Sequence, residues 1–89
     1  MTFDYTELLG KIKSVCGTQK AFADAMGMTL SQINARLNNR VDWSMEEMLK
    51  ACTVLNVSTG FIPLYFFTLK STENQNWGSL WTVRTLYRL

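Results

Sequence analysis

The chain has 89 residues, with nine Lys and Arg against seven Asp and Glu, no His and two Cys. This length allows one compact domain with a single hydrophobic core. A formal net charge of +2 is too small to predict nucleic-acid binding from composition. Without His, and with Cys16 and Cys52 far apart, the chain offers no zinc-ligand set and no Cys/His or Ser/His nucleophile. We therefore expect a protein that is not an enzyme and that uses no metal, cofactor or small-molecule substrate.

Nothing in the sequence directs the chain to a membrane, because it carries neither a basic-then-apolar N-terminal signal nor a long apolar run. We expect a cytoplasmic protein. In that reducing compartment Cys16 and Cys52 are expected to be small buried apolar groups, and a disulfide is the less favoured alternative.

The first predicted helix runs from about Tyr5 to Val15, with Asp4 as its N-cap and Gly17 as its C-terminal stop. Its apolar residues at helical spacing are Leu8, Leu9, Ile12 and Val15.

The second predicted helix is capped by Thr18 and continues to Met26. Gly27 is expected to end it, because a residue without a Cβ adopts the left-handed turn conformation without cost. Its predicted apolar stripe consists of Ala21, Phe22, Ala25 and Met26.

The third helix is expected to begin at Leu30, because Thr29 and Gln32 have the spacing of a capping box. It is expected to end near Asn38 and Asn39, with Asn39 in the left-handed conformation.

The fourth helix is predicted from a second capping box, Ser44 with Glu47, and from Asn56 as a stop. Its expected apolar stripe consists of Met45, Met48, Leu49, Cys52 and Leu55. Beyond it, Ser58 and Pro63 favour two short helical pieces within residues 59–67. The aromatic residues there are expected to be core or dimer contacts: Phe61, Tyr65, Phe66 and Phe67.

The character of the chain changes near Lys70. A polar linker, STENQN at residues 71–76, precedes WGSLWTVRTLYRL at residues 77–89, where apolar and polar residues alternate as in a strand. We therefore predict a helical domain at residues 1–69 and a linker with a strand-like tail at residues 70–89. The tail folds back on the helices, pairs with the same segment of a second subunit for dimerisation, or is disordered.

Two helices joined by a tight Gly-containing turn are typical of the helix-turn-helix, in which the first helix braces the second against the DNA major groove. A small residue is expected at Ala23, because the two helices approach closely there. Ile33 and Leu37, one turn apart, are expected to anchor the third helix in the core. A polar outer face then remains, which is also typical of a surface helix that is simply solvated.

The third helix supplies the candidate base contacts, since amides can bond to adenine, Ser to several bases, and small apolar groups to the thymine methyl. These candidates are Leu30, Ser31, Gln32, Asn34 and Ala35, and Thr29 at the start of the helix is a further DNA-binding candidate. The candidate phosphate contacts are Thr18 and Gln19 at the start of the second helix, together with Lys20, Arg36, Asn38 and Arg40. An alternative partner for Arg36 is Gln32 or an acid on a neighbouring helix.

The segments GTQKAFADAMGMTLSQINARLNN (residues 17–39) and SMEEMLKACTVLNV (residues 44–57) resemble the XRE and Cro-like family of phage repressor-type helix-turn-helix proteins. FIPLYFFT at residues 61–68 is similar to a group of short phage proteins of this kind. The resemblance covers residues 3–69 and implies an all-α, five-helix lambda-repressor-like domain. Two positions depart from the family pattern, since Asn39 stands where Gly is usual and Leu30 where a polar base-reading side chain is frequent.

We therefore expect a sequence-specific, DNA-binding transcriptional regulator of the phage repressor or Cro type. It would bind double-stranded operator DNA as a homodimer through the helix at about residues 30–38, with half-sites roughly 34 Å apart. The alternative is a protein-interaction module, such as an antitoxin or anti-repressor, that grips its partner with the aromatic C-terminal tail.

Overall fold

The structure, a computed structural model, describes residues 2–70. This part of the chain contains five α-helices and one short 3-10 helix. In chain order these are α1 (Thr6–Cys16), α2 (Gln19–Met26), α3 (Leu30–Leu37), α4 (Met45–Leu55), the 3-10 helix (Thr59–Phe61) and α5 (Ile62–Phe66). The all-α, five-helix prediction is confirmed. The predicted linker and strand-like tail, residues 71–89, lie outside the described residues.

The predicted capping residues begin three of the helices. The Thr18 hydroxyl accepts a hydrogen bond from a backbone N–H in the first turn of α2, at 3.0 Å. Both predicted capping boxes form, Thr29 with Gln32 at α3 and Ser44 with Glu47 at α4. Local hydrogen-bonding chemistry therefore fixes where α2, α3 and α4 start.

The prediction that Asp4 occupies the N-cap of α1 is wrong by one residue. Tyr5 holds that position and provides no side-chain cap. The Asp4 carboxylate nevertheless accepts bonds from the Thr6 hydroxyl at 2.6 Å and from the Thr6 N–H at 2.9 Å. These bonds lower the pKa of the Asp4 carboxyl. The carboxylate thus serves the first turn of α1 from one position further out.

Left-handed backbone ends α2 and closes the turn to α3. Gly27 has a φ of 72°, and residues 27–29 connect the two helices. Asn39 and Asn56 adopt the same conformation beyond α3 and α4, with φ values of 63° and 56°. All three of these stops were predicted from the sequence.

The Asn39 side chain also fastens the N-terminal segment to the end of α3. Its Oδ1 accepts a hydrogen bond from the Phe3 N–H at 2.9 Å, and its Nδ2 donates to the Phe3 carbonyl at 3.1 Å. A Gly at this position could form neither bond. The departure from the family pattern at Asn39 therefore has a physical reason in this chain.

The core lies around α2, which packs against α1, α3 and α4. Its largest fully buried side chains are Leu8, Ile12, Phe22, Ile33 and Leu55. Ala23 is also fully buried, which agrees with the close approach predicted there. Leu37 packs against the core but is only half-buried.

Six residues of the predicted apolar stripes are exposed, which corrects those predictions: Leu9, Val15, Ala21, Ala25, Met45 and Leu49. The buried side of α4 consists of Met48, Ala51, Cys52 and Leu55. The small side chain of Ala51 does not mark a core position in a hydropathy pattern, so the predicted stripe included Met45 and Leu49 instead.

Both cysteines are free thiols. The structure thus contains no Cys16–Cys52 disulfide, which was the less favoured alternative. Cys52 is buried, and burial raises the pKa of its thiol. Cys16 is only half-buried. Within residues 2–70, no helix has the length and apolar character needed to cross a membrane.

Candidate functional site

The outer side of α3 and the loop that follows it form a shallow depression of about 660 Å³. It is lined by Leu30, Ser31, Asn34, Ala35, Arg40 and Val41, and we call these six residues the α3 face. Leu30 is 36% exposed and Val41 is 42% exposed. The structure thus brings together four predicted base contacts and one predicted phosphate contact. It adds Val41, which sequence reasoning missed because Val41 lies in a loop without helical periodicity.

The predicted amide contacts differ in how free their side chains are. Gln32 Oε1 accepts the Thr29 N–H at 2.9 Å, so Gln32 cannot offer both amide atoms to a base. Asn38 Nδ2 donates to the Asn34 carbonyl at 2.8 Å. The side chains of Ser31 and Asn34 form no hydrogen bond with other residues in 2–70 and remain available on the α3 face.

Arg36 is held away from the α3 face by contacts to α4. Its Nε and Nη2 donate to the two carboxylate oxygens of Glu47 at 2.9 and 3.1 Å, and its Nη1 donates to the Gln32 carbonyl at 2.9 Å. The Arg36 and Glu47 side chains are only 15% and 23% exposed. This bidentate geometry fixes the guanidinium firmly. Arg36 therefore has the alternative partners considered from the sequence, an acid on a neighbouring helix and the backbone of Gln32.

The remaining predicted phosphate contacts are spread along the surface. Lys20 pairs with Asp24 at 2.7 Å, but both side chains are more than 60% exposed, so this pair is easily exchanged. Thr18 and Gln19 border a separate cleft beside Leu9 and Lys13 at the start of α2. Within the described residues Arg40 forms no ion pair, and it is the one cation that lines the α3 face.

Glu47 takes part in both the ion pair with Arg36 and the capping box of α4. Its Oε1 accepts the Arg36 Nε–H and the Ser44 N–H, each at 2.9 Å. The bonds from Arg36 hold the pKa of the Glu47 carboxyl below its usual value, against the opposing effect of burial, and the Ser44 N–H lowers it further. A depressed pKa in the folded state means that the ionised carboxylate stabilises the fold at neutral pH. This stabilisation is lost as the pH falls through the folded-state pKa.

A Glu47→Gln variant is therefore expected to lose about 1–2 kcal/mol of unfolding free energy at pH 7. The deficit relative to the unchanged protein should shrink as the pH falls below about 4.3, the usual pKa of Glu. Urea unfolding at pH 7 and pH 3.5 measures both effects. Glu46→Gln is the matched control, because Glu46 is exposed on the same helical turn and forms no side-chain bond within residues 2–70. Equal losses in the two variants would contradict this role of Glu47.

A second surface feature is a groove of about 360 Å³ between the N-terminal segment, α5 and the loop before α4. It is lined by Phe3, Tyr5, Asp42, Trp43, Met48, Phe66 and Phe67, and we call it the aromatic groove. The rings of Trp43 and Phe66 meet edge to face with centroids 5.2 Å apart, and those of Phe3 and Phe67 at 5.8 Å.

The aromatic side chains near α5 do not share one environment. Phe66 is 2% exposed and belongs to the core, whereas Phe61 and Phe67 are each 49% exposed. Of the four aromatics predicted as core or dimer contacts, Phe66 is thus the fully buried one, and Tyr65 is half-buried. Trp43 is a core residue that the sequence analysis missed, because it lies between Asp42 and Ser44 in a loop with turn-like composition.

The Tyr5 hydroxyl lies in the wall of the aromatic groove. Burial raises the pKa of this hydroxyl, and the negative charge of Asp42 raises it further, while the nearby indole N–H of Trp43 acts in the opposite direction. The indole N–H of Trp43 is buried, and it forms no hydrogen bond with the Tyr5 oxygen or with any other group in residues 2–70.

Comparison with known proteins places this fold and these surfaces in context. The family model described as "Protein of unknown function (DUF739)" matches residues 1–69. No curated protein sequence matches the chain significantly. A solved structure that is similar is the solution structure of the modulator of repression (MOR) of the temperate bacteriophage TP901-1 from Lactococcus lactis. It is 48% identical with a TM-score of 0.68, and the match covers 75% of this chain and 90% of the modulator.

The chain is thus similar in sequence and fold to a small helical phage regulatory protein. The chain belongs to the DUF739 family. Neither match names the XRE or Cro-like family, so that finer assignment stays a prediction.

Proposed function

We propose that this protein is a phage regulator that modulates repression by binding a DNA-binding repressor protein through its α3 face, without catalysing a reaction. The similarity to a modulator of repression over residues shared by both chains supports a role in repression. The proposal corresponds to the alternative of a protein-interaction module. It differs in assigning partner binding to the α3 face instead of the C-terminal tail.

The observation that carries the proposal is the scarcity of free positive charge around α3. Neutralisation of phosphates supplies most of the affinity of a protein for DNA. Arg36 is held by Glu47 in a bidentate, partly buried pair, and Arg40 is the one cation among the residues that line the α3 face, while Lys20 lies outside that face in an exposed pair with Asp24.

The composition of the α3 face also favours a protein partner. Leu30, Ala35 and Val41 give it an apolar centre, and Arg40 stands beside them. The buried core of a protein interface is more apolar than the rest of the surface, and Arg is enriched there while Lys, Glu and Asp are depleted. A stable interface buries about 800 Å² on each partner, so neighbouring residues must contribute as well.

A second candidate function is sequence-specific binding of operator DNA as a homodimer. The free side chains of Ser31 and Asn34 on the α3 face favour it, because both can bond to base edges and the small Ala35 allows close approach. Protein and DNA partners would compete for this face, and one experiment distinguishes them.

The experiment uses the full chain, the repressor encoded by the same phage, and its operator DNA. We expect calorimetric titration to show binding of the chain to the repressor at micromolar or lower concentration. In gel shifts at moderate salt, the chain alone should not prefer operator over random DNA. Operator preference without repressor binding would establish the second candidate instead, and absence of both would overturn the proposal.

A further inference from the structure

Five of the seven residues that line the aromatic groove are aromatic, and they differ in how accessible they are. Trp43 and Phe66 are almost fully buried. Phe67 is half-exposed and Phe3 is half-buried. A ligand that enters the groove from outside would therefore contact mainly the rings of Phe3 and Phe67.

The arrangement of these rings suits a positively charged group. The planes of Phe3 and Phe67 make an angle of 81°, with centroids 5.8 Å apart, and the Tyr5 ring is tilted by 44° against Phe3 at 6.3 Å. The face of an aromatic ring carries partial negative charge. Rings that meet at a steep angle form the walls of a corner, and a cation in that corner lies over a ring face.

A carboxylate stands beside the rings without a cation of its own. Among residues 2–70, Asp42 is the one charged residue that lines the groove. Its side chain is exposed and forms no hydrogen bond or ion pair with the rest of this part of the chain. The groove is therefore complementary in charge to a cationic side chain.

Of the two basic side chains, arginine fits this combination better. Its guanidinium is planar and stacks on aromatic rings, and it can donate two parallel hydrogen bonds to a carboxylate. The ammonium of lysine is more strongly hydrated and has neither property.

We infer that the aromatic groove binds an arginine side chain of a protein partner, with the guanidinium over the rings of Phe3 and Phe67 and paired with the Asp42 carboxylate. The groove volume of about 360 Å³ is near the lower end of the range for ligand pockets, which suits a single side chain. The groove shares no residue with the α3 face, so the inference does not depend on the proposed function.

The test is an NMR titration of the full chain with a blocked tripeptide that has arginine at its centre. The Trp43 indole N–H lies in the groove wall and has no hydrogen-bond partner in residues 2–70, so its signal reports on a group that enters the groove. We expect saturable shifts of this signal with a millimolar dissociation constant.

Two analogues of the peptide test the chemistry of recognition. The citrulline analogue has the shape of arginine without its charge, and we expect it to bind about tenfold more weakly, because it loses both the ion pair and the contact of a cation with the rings. The lysine analogue should bind about threefold more weakly, because it cannot pair in the bidentate manner.

Two variants locate the site, each with a matched control. Asp42→Asn and Phe67→Ser should each weaken binding of the arginine peptide by about threefold to fivefold. Glu46→Gln removes the same charge from an exposed residue outside the groove. Phe61→Ser removes a ring that is 49% exposed, as Phe67 is, but does not line the groove. Both controls should leave the affinity unchanged.

Several results would overturn the inference. Equal losses in Asp42→Asn and Glu46→Gln would show that net charge alone attracts the peptide. Equal affinities for the arginine and citrulline peptides would show that binding is merely apolar, and a lysine peptide that binds as tightly would exclude the assignment to arginine. Absence of a saturable shift would show that the groove is not a binding site for this side chain.

Discussion

A Leu30→Asp substitution is expected to weaken binding to the repressor protein by at least about 30-fold, about 2 kcal/mol, because it would place an unpaired charge at a position where the proposed interface is apolar. Leu30 is a third exposed at the first position of α3 and contributes apolar surface to the α3 face. An acidic side chain at a helix N-terminus interacts favourably with the helix dipole. The unfolding free energy should therefore change by less than about 1 kcal/mol.

Titration calorimetry with the repressor and thermal unfolding of the variant measure the two effects separately. Leu49→Asp is the control, since Leu49 is exposed on α4 and lies outside the α3 face. If Leu30→Asp bound the repressor as tightly as the unchanged chain, the α3 face would not be the interface. If both variants lost binding equally, the effect would come from added negative charge in general.

Phe22→Ala is expected to cost about 3–5 kcal/mol of unfolding free energy, the range found when a buried Phe is truncated. Phe22 is fully buried in α2, at the centre of the core. Small domains have a total stability of roughly 5–15 kcal/mol, so the loss is a large fraction of it.

Urea unfolding followed by circular dichroism measures this loss directly. Phe61→Ala provides the comparison, because Phe61 is half-exposed and its truncation should cost less than about 1 kcal/mol. A small loss for Phe22→Ala would show that the core can collapse around the missing ring.

The starts of α2, α3 and α4 and the left-handed residues that follow them could be predicted because the determinants are local. A hydroxyl at Thr29 and an amide at Gln32 satisfy backbone groups within one turn, and Gly27 permits a conformation that other residues avoid. The turn between α2 and α3 was therefore predictable from a few adjacent residues.

The buried side of each helix was harder to predict, because it depends on how neighbouring helices pack. Met45 and Leu49 fit the helical period as well as Met48 and Leu55 do, yet they face outward. Ala51 is buried because of its small size, and hydropathy gives such positions little weight.

The availability of charged side chains also depended on tertiary structure. From the sequence, Arg36 could bind either a DNA phosphate or a carboxylate of the protein. In the fold it pairs with Glu47, which lies eleven residues further along the chain. The loop residues Val41 and Trp43 escaped prediction for a related reason, since no periodic pattern marks a buried or functional residue inside a loop.

The carboxylate of Glu47 connects the end of α3 to the start of α4, and we expect this connection to couple the local opening of the two helices. The same group accepts from Arg36 near the end of α3 and from the backbone N–H of Ser44, the N-cap residue of α4, so fraying of α3 at its C-terminal end would remove one of the contacts that hold this carboxylate in its capping position. Local opening free energies in such a linked pair approach each other. In the proposed complex, a support shared between two helices would reduce the ordering entropy that binding at the α3 face must overcome.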